Sequence, residues 1–313
     1  MLFDFRKAFD LIDHSTLVRK LHTFDLPNSI VDWIIDFLRD RKQRVKLGQN
    51  CHSEWRSIPA GVPQGTKLGP WLFLIMINDI SVPGVHLWKY VDDITISESV
   101  PKNHTSKIQE AVDELCSKTR ADKFQLNKTK CKELRIDFSK ADKGLNPVNV
   151  NNSELELVSG AKLLGLNISK DLKWNTHIAE IIKKVTSRLY FLRQLKRSKL
   201  ASKDLTQFYI TCIRPLTEYA CQVYHNSLPD YLSNDLERLQ KRALRIIFPD
   251  LSYAEALRET GLVTLWQRRQ NITTKFFNEI VSNDDHRLHS LLPKENDCKY
   301  NLRCKRISPF LNV

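Results

Sequence analysis

The sequence predicts an α+β protein, and three features lead there. Between residue 1 and about residue 170, short apolar segments of strand character alternate with stretches whose apolar residues recur at helical spacing. Two of the strand-like segments end in carboxylates, one at Asp4 and one at Asp92-Asp93. Beyond Trp174 the strand pattern stops and the apolar residues fall at helical intervals. Mixed elements followed by a helical run read as an α+β domain with a helical region appended.

Taken in order, Met1-Leu2-Phe3 forms a short opening strand that ends at Asp4 and leads into a turn. Ser15 is expected to cap a helix running through Leu17, Val18 and Leu21. A second helix starts near Asn28-Ser29 and places Ile30, Trp33, Ile34, Phe37 and Leu38 on one face. Gly48-Gln49-Asn50 reads as the turn of a hairpin between 44–47 and 53–58. In the stretch from Gly61 to Pro70, Gly61, Gly65 and Gly69 permit sharp turns or close approach of backbone to a ligand. Pro70 suits the first turn of the helix that the apolar run Trp71 to Ile77 continues. Ile108, Val112 and Leu115 mark another amphipathic helix. Leu134, Ile136 and Phe138 alternate with polar residues as a half-buried strand does, and 139–152 is polar and turn-rich, a surface loop.

In the helical part, Ile178, Ile181, Ile182, Val185, Leu189 and Leu192 form one apolar stripe. The segment from Lys173 to Lys199 holds eight Lys or Arg against one acid, Glu180. Such a face suits either plain solvation or a phosphate backbone, with Lys183, Lys184, Arg188 and Lys196 as the contacts. Further helices run through 205–214 and 232–247, the latter carrying Arg238, Lys241, Arg242 and Arg245. After Pro249 the pattern says less: Trp266 suits the core of a small helical unit or, with Arg268 and Arg269, a nucleic-acid contact. The expected divisions are 1–170, 171–248 and 249–313.

The net charge of +13 points to a polyanionic partner, most simply nucleic acid. Asp4, Arg6 and Asp10 interrupt any N-terminal apolar core of the kind a secretory signal needs. The run from Trp71 to Ile77 is too short to cross a bilayer. Seven scattered cysteines suit reduced thiols, and Cys298 and Cys304 have no histidine at ligand spacing, which argues against a zinc site.

Tyr90-Val91-Asp92-Asp93 is the segment richest in chemistry. Two neighbouring carboxylates at the end of a buried strand repel each other, and divalent cations offset that repulsion. Taken alone, an Asp-Asp pair also suits a solvated turn. With a third carboxylate such as Asp4, the pair has the composition of a site that holds two metals for in-line phosphoryl transfer.

Three blocks together, Phe3-Asp4-Phe5-Arg6-Lys7-Ala8-Phe9-Asp10, Gly61-Val62-Pro63-Gln64-Gly65 with Leu68-Gly69-Pro70, and Tyr90-Val91-Asp92-Asp93, resemble the reverse transcriptases of non-long-terminal-repeat retrotransposons, the jockey-like and related LINE elements. Two weaker blocks follow in order, Leu126 to Leu134 and Lys162-Leu163-Leu164-Gly165-Leu166, the latter similar to the family's primer-grip hairpin. The resemblance covers residues 1 to about 175. It implies a polymerase palm, an antiparallel sheet backed by helices, followed by a helical, thumb-like region. It implies RNA-directed DNA synthesis from an RNA template, a DNA primer and deoxynucleoside triphosphates. It also implies an intracellular protein of the nucleus or cytoplasm, with no membrane partner.

By the same resemblance, Asp4, Asp92 and Asp93 hold two Mg²⁺ or Mn²⁺ ions, Asp4 and Asp92 bridging them, with the peptide oxygen of Phe5 as an extra ligand. Phe9 lies under the sugar and selects deoxynucleotides, Gln64 and Gly65 line the nucleotide and template, and Leu164-Gly165 meets the primer end. Lys130 serves the leaving pyrophosphate as a general acid or is one more surface lysine beside Lys128 and Lys132. Departures are Val91 where alanine is common, Lys67 where an apolar residue is common, and the lack of an aromatic near 119–121. Family members carry a fingers region and an endonuclease outside the segment matched here. The expectation is therefore a fragment that binds nucleic acid and extends a primer poorly, with a catalytically dead nucleic-acid-binding remnant as the rival reading. Another palm polymerase is the third, disfavoured by Phe9 and Val91.

Overall fold

The computed structural model describes residues 1–49, 51–101, 104–138 and 144–292. Asn50, the first residues of the 139–152 loop, and Cys298 and Cys304 lie outside the described residues. The chain divides into two compact units, Met1–Leu163 and Leu164–Val313.

The first unit opens with β1 (Leu2–Phe3), α1 (His14–Leu21) and α2 (Asn28–Leu38). The short hairpin strands β2 (Lys42–Gln43) and β3 (Arg56–Ser57) follow, then α3 (Leu68–Ile77), β4 (His86–Tyr90), β5 (Asp93–Ser97) and α4 (Ile108–Ala121). The unit ends with β6 (Lys132–Leu134), β7 (Asn149–Val150), β8 (Ser153–Glu154), β9 (Glu156–Val158) and β10 (Gly160–Leu163). Its main sheet has the order β4-β5-β1-β6-β9. Every neighbouring pair whose register is set here is antiparallel except β6 with β9, which run parallel. Phe3, Ile94 and Ile96 on one face of the sheet pack with Leu17, Leu21, Leu72, Phe73, Met76, Val112 and Leu115 from the helices. The expected α+β arrangement, a sheet backed by helices, is present.

Four local expectations are corrected. Asp13, not Ser15, caps α1: its Oδ1 accepts from the Thr16 N–H at 2.8 Å. The inward stripe of α2 is Val31, Ile34 and Leu38, while Ile30 and Trp33 are exposed. β6 stops at Leu134 and has the opposite phase. Cys131 and Glu133 are buried, Ile136 and Phe138 exposed, and Arg135 Nε donates to the Glu133 carboxylate at 2.5 Å. The polar 144–152 segment is no plain loop, since β7 and β8 pair around Asn151-Asn152, both at positive φ, and Val148 and Val150 are buried.

The second unit begins with β11 (Leu166–Ser169) and α5 (Asn175–Arg197). The predicted 205–214 helix is a composite: α6 (Ser202–Phe208), a π-helical turn over Tyr209–Ile213, and α7 (Arg214–Glu218). Then come α8 (Cys221–Tyr224), α9 (Asp230–Ile247), α10 (Tyr253–Thr260) and α11 (Leu265–Val281). Ile178, Ile181, Val185, Leu189 and Leu192 of α5 bury against Leu205, Tyr209, Leu236, Ala243 and Ile247. Among the described residues no helix is long and apolar enough to cross a membrane.

Candidate active site

Of the aspartates singled out in the sequence, strand register sets Asp4 against Asp93, with Asp92 in the adjoining turn. β1 pairs antiparallel with β5, Leu2 opposite Thr95 and Phe3 opposite Ile94. One step further along that register puts Asp4 opposite Asp93, on the sheet face away from buried Phe3 and Ile94. β4 and β5 form a hairpin in which Tyr90 pairs with Asp93, so Val91-Asp92 is its two-residue turn. Val91 has φ +53, a region a β-branched residue rarely enters, and it is held there by packing on the core.

Like charges directly opposite on neighbouring strands are destabilising. Partial burial, then the charges of Asp92 and Asp4, push the Asp93 carboxyl above its usual range. Among the described residues, however, no three His, Cys, Asp or Glu side chains form a ready metal cage. The carboxylates are neighbours in one field, not a closed ligand set.

Asp4 is the best-fixed member. Its carbonyl accepts from the Asn127 N–H at 2.8 Å, and two residues on the Arg6 N–H donates to Gln125 O at 2.8 Å. The Leu126-Asn127 block therefore acts as a clamp on the segment after β1. Because those bonds use Asp4 C=O and Arg6 N–H, strand alternation turns the Phe5 carbonyl to the opposite side, toward the Asp92 hairpin. Lys130 Nζ stands 3.4 Å from Asp4 Oδ2, while Asp4 Oδ1 is buried with no hydrogen-bond partner. A buried carboxylate oxygen left unpaired is costly, and a bound cation satisfies it. The donor set fits a hard divalent ion of the Mg²⁺ type, which takes one or two carboxylates and completes its shell with substrate phosphates and water.

Beside the carboxylates, the 61–70 loop is built onto the segment after Asp4. Val62 N–H donates to Phe9 O at 2.9 Å and Gly61 N–H to Ile12 O at 2.7 Å. His14 Nε2 and Arg41 Nη2 both lie within hydrogen-bond distance of the Gly61 carbonyl, at 2.7 and 2.8 Å. These two supports were missed in the sequence, where nothing in their spacing separates them from ordinary surface residues. Gln64 is exposed and its Nε2 donates to Asp10 Oδ1 at 3.0 Å, and Gly65 has φ +80 with open space around it. Phe9 is half-buried and stacks on Phe73 at 4.5 Å, so its ring is a supported surface. Gly61 has φ +81, and a Cβ there would lie 2.5 Å from Asp10 O. Gly61→Ala is expected to destabilise the unit by roughly 2–4 kcal/mol, from backbone strain plus overpacking. Urea melts should show a lower midpoint at unchanged slope, and a shift under about 0.5 kcal/mol would refute the close approach.

In the second unit, Leu164 and Gly165 lie between Leu163 and β11, both at positive φ (+45 and +86). On α5, Lys183, Lys184 and Arg188 are exposed, and Lys184 pairs with Glu180 one turn away. Lys196 departs from the expected row, because it is half-buried and donates to Ile247 O at 2.9 Å, closing the end of α9. Arg269 is 0 % exposed and Arg268 is paired with Glu218, so neither is a free nucleic-acid contact, whereas Trp266 is half exposed rather than core.

A family model described as "Reverse transcriptase (RNA-dependent DNA polymerase)" matches residues 1–168. A second, "Alkylated DNA repair protein alkB homolog 8, N-terminal", matches residues 174–214. The chain is 24 % identical over 310 residues to the probable RNA-directed DNA polymerase from transposon BS of Drosophila melanogaster, covering 94 % of this chain and 33 % of that protein. It is 29 % identical over 257 residues to the RNA-directed DNA polymerase from mobile element jockey of Drosophila funebris, covering 78 % of this chain and 28 % of the relative. A shorter match, 30 % identical over 87 residues, covers 26 % of the chain and 12 % of a Pol polyprotein from the type-1 retrotransposable element R2 of Popillia japonica. The chain thus spans about a third of the length of the first of these relatives. With the family model covering more than half of the sequence and the aspartates brought together by β1 and the β4–β5 hairpin, the chain belongs to the reverse transcriptase family.

Proposed function

We propose that this chain carries the polymerising centre of a non-LTR retrotransposon reverse transcriptase, copying an RNA template onto a DNA primer from deoxynucleoside triphosphates. The observation that carries the reading is the register that sets Asp4 against Asp93 on adjacent strands, together with a buried Asp4 oxygen that has no hydrogen-bond partner. Asp4, Asp92, Asp93 and the Phe5 carbonyl are the residues to hold two Mg²⁺ ions. When bound, such ions activate the primer hydroxyl and neutralise the charge of the leaving phosphates. Lys130, 3.4 Å from Asp4 Oδ2, balances that carboxylate in their absence, and its role in this reading is to donate a proton toward pyrophosphate. Phe9, braced by Phe73, bears on the sugar, and Gln64, oriented by Asp10, lines the nucleotide side with Gly65. Leu164-Gly165 serves the primer end, and the helical second unit acts as a thumb, with Lys183, Lys184 and Arg188 on the phosphate backbone.

A second reading, nucleic-acid binding without catalysis, is favoured by the lack of a three-ligand group among the described residues. The two separate on Mn²⁺ titration followed by primer extension on an RNA template. Saturable Mn²⁺ binding and extension support the polymerase, while duplex binding with neither supports the remnant. Binding to a primer–template should also weaken with salt, each phosphate contact adding about 0.9 to the log–log slope. Replacing Lys183, Lys184 and Arg188 together by alanine is expected to lower that slope by about 2–3. An unchanged slope would mark the face as merely solvated.

A further inference from the structure

The Leu164-Gly165 turn is held by a residue beyond either family match. Tyr219 Oη donates to Leu164 O at 2.7 Å. Its ring lies against Gly165, where a Cβ would come within 3.1 Å of Tyr219 Cε1. The tyrosine is 56 % exposed, so core burial is not what its ring supplies. Both residues it touches are in the left-handed region, and a leucine with φ +45 keeps that conformation only where its surroundings enforce it.

How Tyr219 is presented is equally specific. The continuous helix from α6 passes through the π-helical turn Tyr209–Ile213 and ends at Glu218. Tyr219 then leaves helical geometry with ψ 122, and Ala220 takes φ +51 before α8 starts. π-turns and left-handed non-glycine residues recur where a fold is bent to a purpose. Glu218, little exposed, is anchored by Arg214 at 3.0 Å and by Arg268 of α11 at 3.2 Å. Tyr224 Oη adds a bond to Thr217 O at 3.2 Å. A chain of contacts thus runs from α11 through Glu218 to Tyr219 and ends on the Leu164 carbonyl.

We infer that Tyr219 is a positioning residue for the Leu164-Gly165 turn, and through it for the 3′ end of the primer. This rests on the reading of that turn given above. A group that sets the stance of a primer-end contact acts on the alignment of the reacting hydroxyl, not on duplex affinity, and small misplacements there are costly in rate.

The test uses the whole chain with Tyr219→Phe, which removes only the hydroxyl, and Tyr219→Leu, which removes ring and hydroxyl. Amide hydrogen exchange at Gly165 and Leu166, primer–template affinity by fluorescence anisotropy, and kcat and KM for deoxynucleotide are measured. Tyr219→Phe is expected to speed exchange at the turn by about 3–10-fold, the loss of one hydrogen bond. It should lower kcat by about 5–10-fold with KM and duplex affinity within about two-fold, and Tyr219→Leu should do so more severely. Unchanged exchange and kcat in Tyr219→Phe, against a wild type that extends normally, would overturn this inference and leave the polymerase reading standing. A loss confined to duplex affinity would overturn it too. A wild type that does not extend a primer–template, whether or not it binds one, takes the reading and the inference down together.

Discussion

Asp92→Asn is expected to reduce primer extension by about 10³-fold or more, the several kcal/mol a metal ligand supplies to an in-line transfer. Asp4→Asn should do the same, and Asp93→Asn should cost less, about 10–100-fold, if Asp93 is the ligand with the laxer role. The same substitutions should leave primer–template affinity near that of the wild type, because the phosphate contacts assigned to α5 are untouched. Their effect on stability has the opposite sign. The register of β1 on β5 sets Asp4 against Asp93, and burial first, then the charges of Asp92 and Asp4, raise the Asp93 carboxyl. Removing one charge from that group relieves repulsion, so each Asn variant should melt slightly higher than wild type without metal. Added Mn²⁺ should raise the melting temperature of the wild type and not of Asp92→Asn, since only the ligand-competent fold gains binding free energy. Extension by Asp92→Asn within about ten-fold of wild type would remove Asp92 from the metal site.

The placement of these carboxylates was legible because residue type and local pattern agreed. An apolar strand ending in Asp4 and a hairpin turn at Asp92 each satisfy strand periodicity, and the register of β1 on β5 then follows from burying Phe3, Ile94 and Ile96 together. The stripe of α5 was legible for the same reason, since only one face is apolar. The face of α2 was not. Ile30, Val31, Trp33, Ile34, Ile35, Phe37 and Leu38 leave almost no polar side from which to orient the helix, so periodicity permits two stripes and packing selects one. β6 misled in another way: Glu133 occupies a buried inward position with half-buried Arg135 as its ion-pair partner, and such a pair breaks the rule that apolar positions face inward. Lys196 belongs with it, as an apolar-stripe position filled by a lysine that caps a neighbouring helix. For α2 and Lys196 the missing information was a partner distant in sequence, and for β6 it was which face the Glu133–Arg135 pair would take.

Lys20 is the most consequential residue of that kind, and Lys20→Met is expected to destabilise the first unit by about 3–5 kcal/mol. It lies three residues after Leu17 on the buried face of α1, and its side chain is 6 % exposed. Its ammonium donates to Met76 O at 2.6 Å, to Asp79 Oδ1 at 2.5 Å and to Asp122 Oδ2 at 2.6 Å. Lys89 of β4 meets the same end of α3, with Ile77 O, Asn78 O and Ile80 O each at 2.9 Å. α3 has no basic residue in its own last turn, so lysines from α1 and β4 supply the positive charge its C-terminal carbonyls favour. The other end of α3 follows the 61–70 loop, so these lysines fix the helix on which that loop ends. Methionine fills the space of the lysine stem but leaves Asp122, 11 % exposed, with Arg19 at 3.5 Å as its remaining ion-pair partner. Most of the loss therefore comes from the stranded carboxylate rather than from packing. Lys20→Met combined with Asp122→Leu should recover more than half of it, as apolar replacement of a complete buried pair is often close to neutral. Urea denaturation of the two variants decides the matter. A single variant within about 1 kcal/mol of wild type, or a double variant no better than the single, would show that the network does not hold α3 in place.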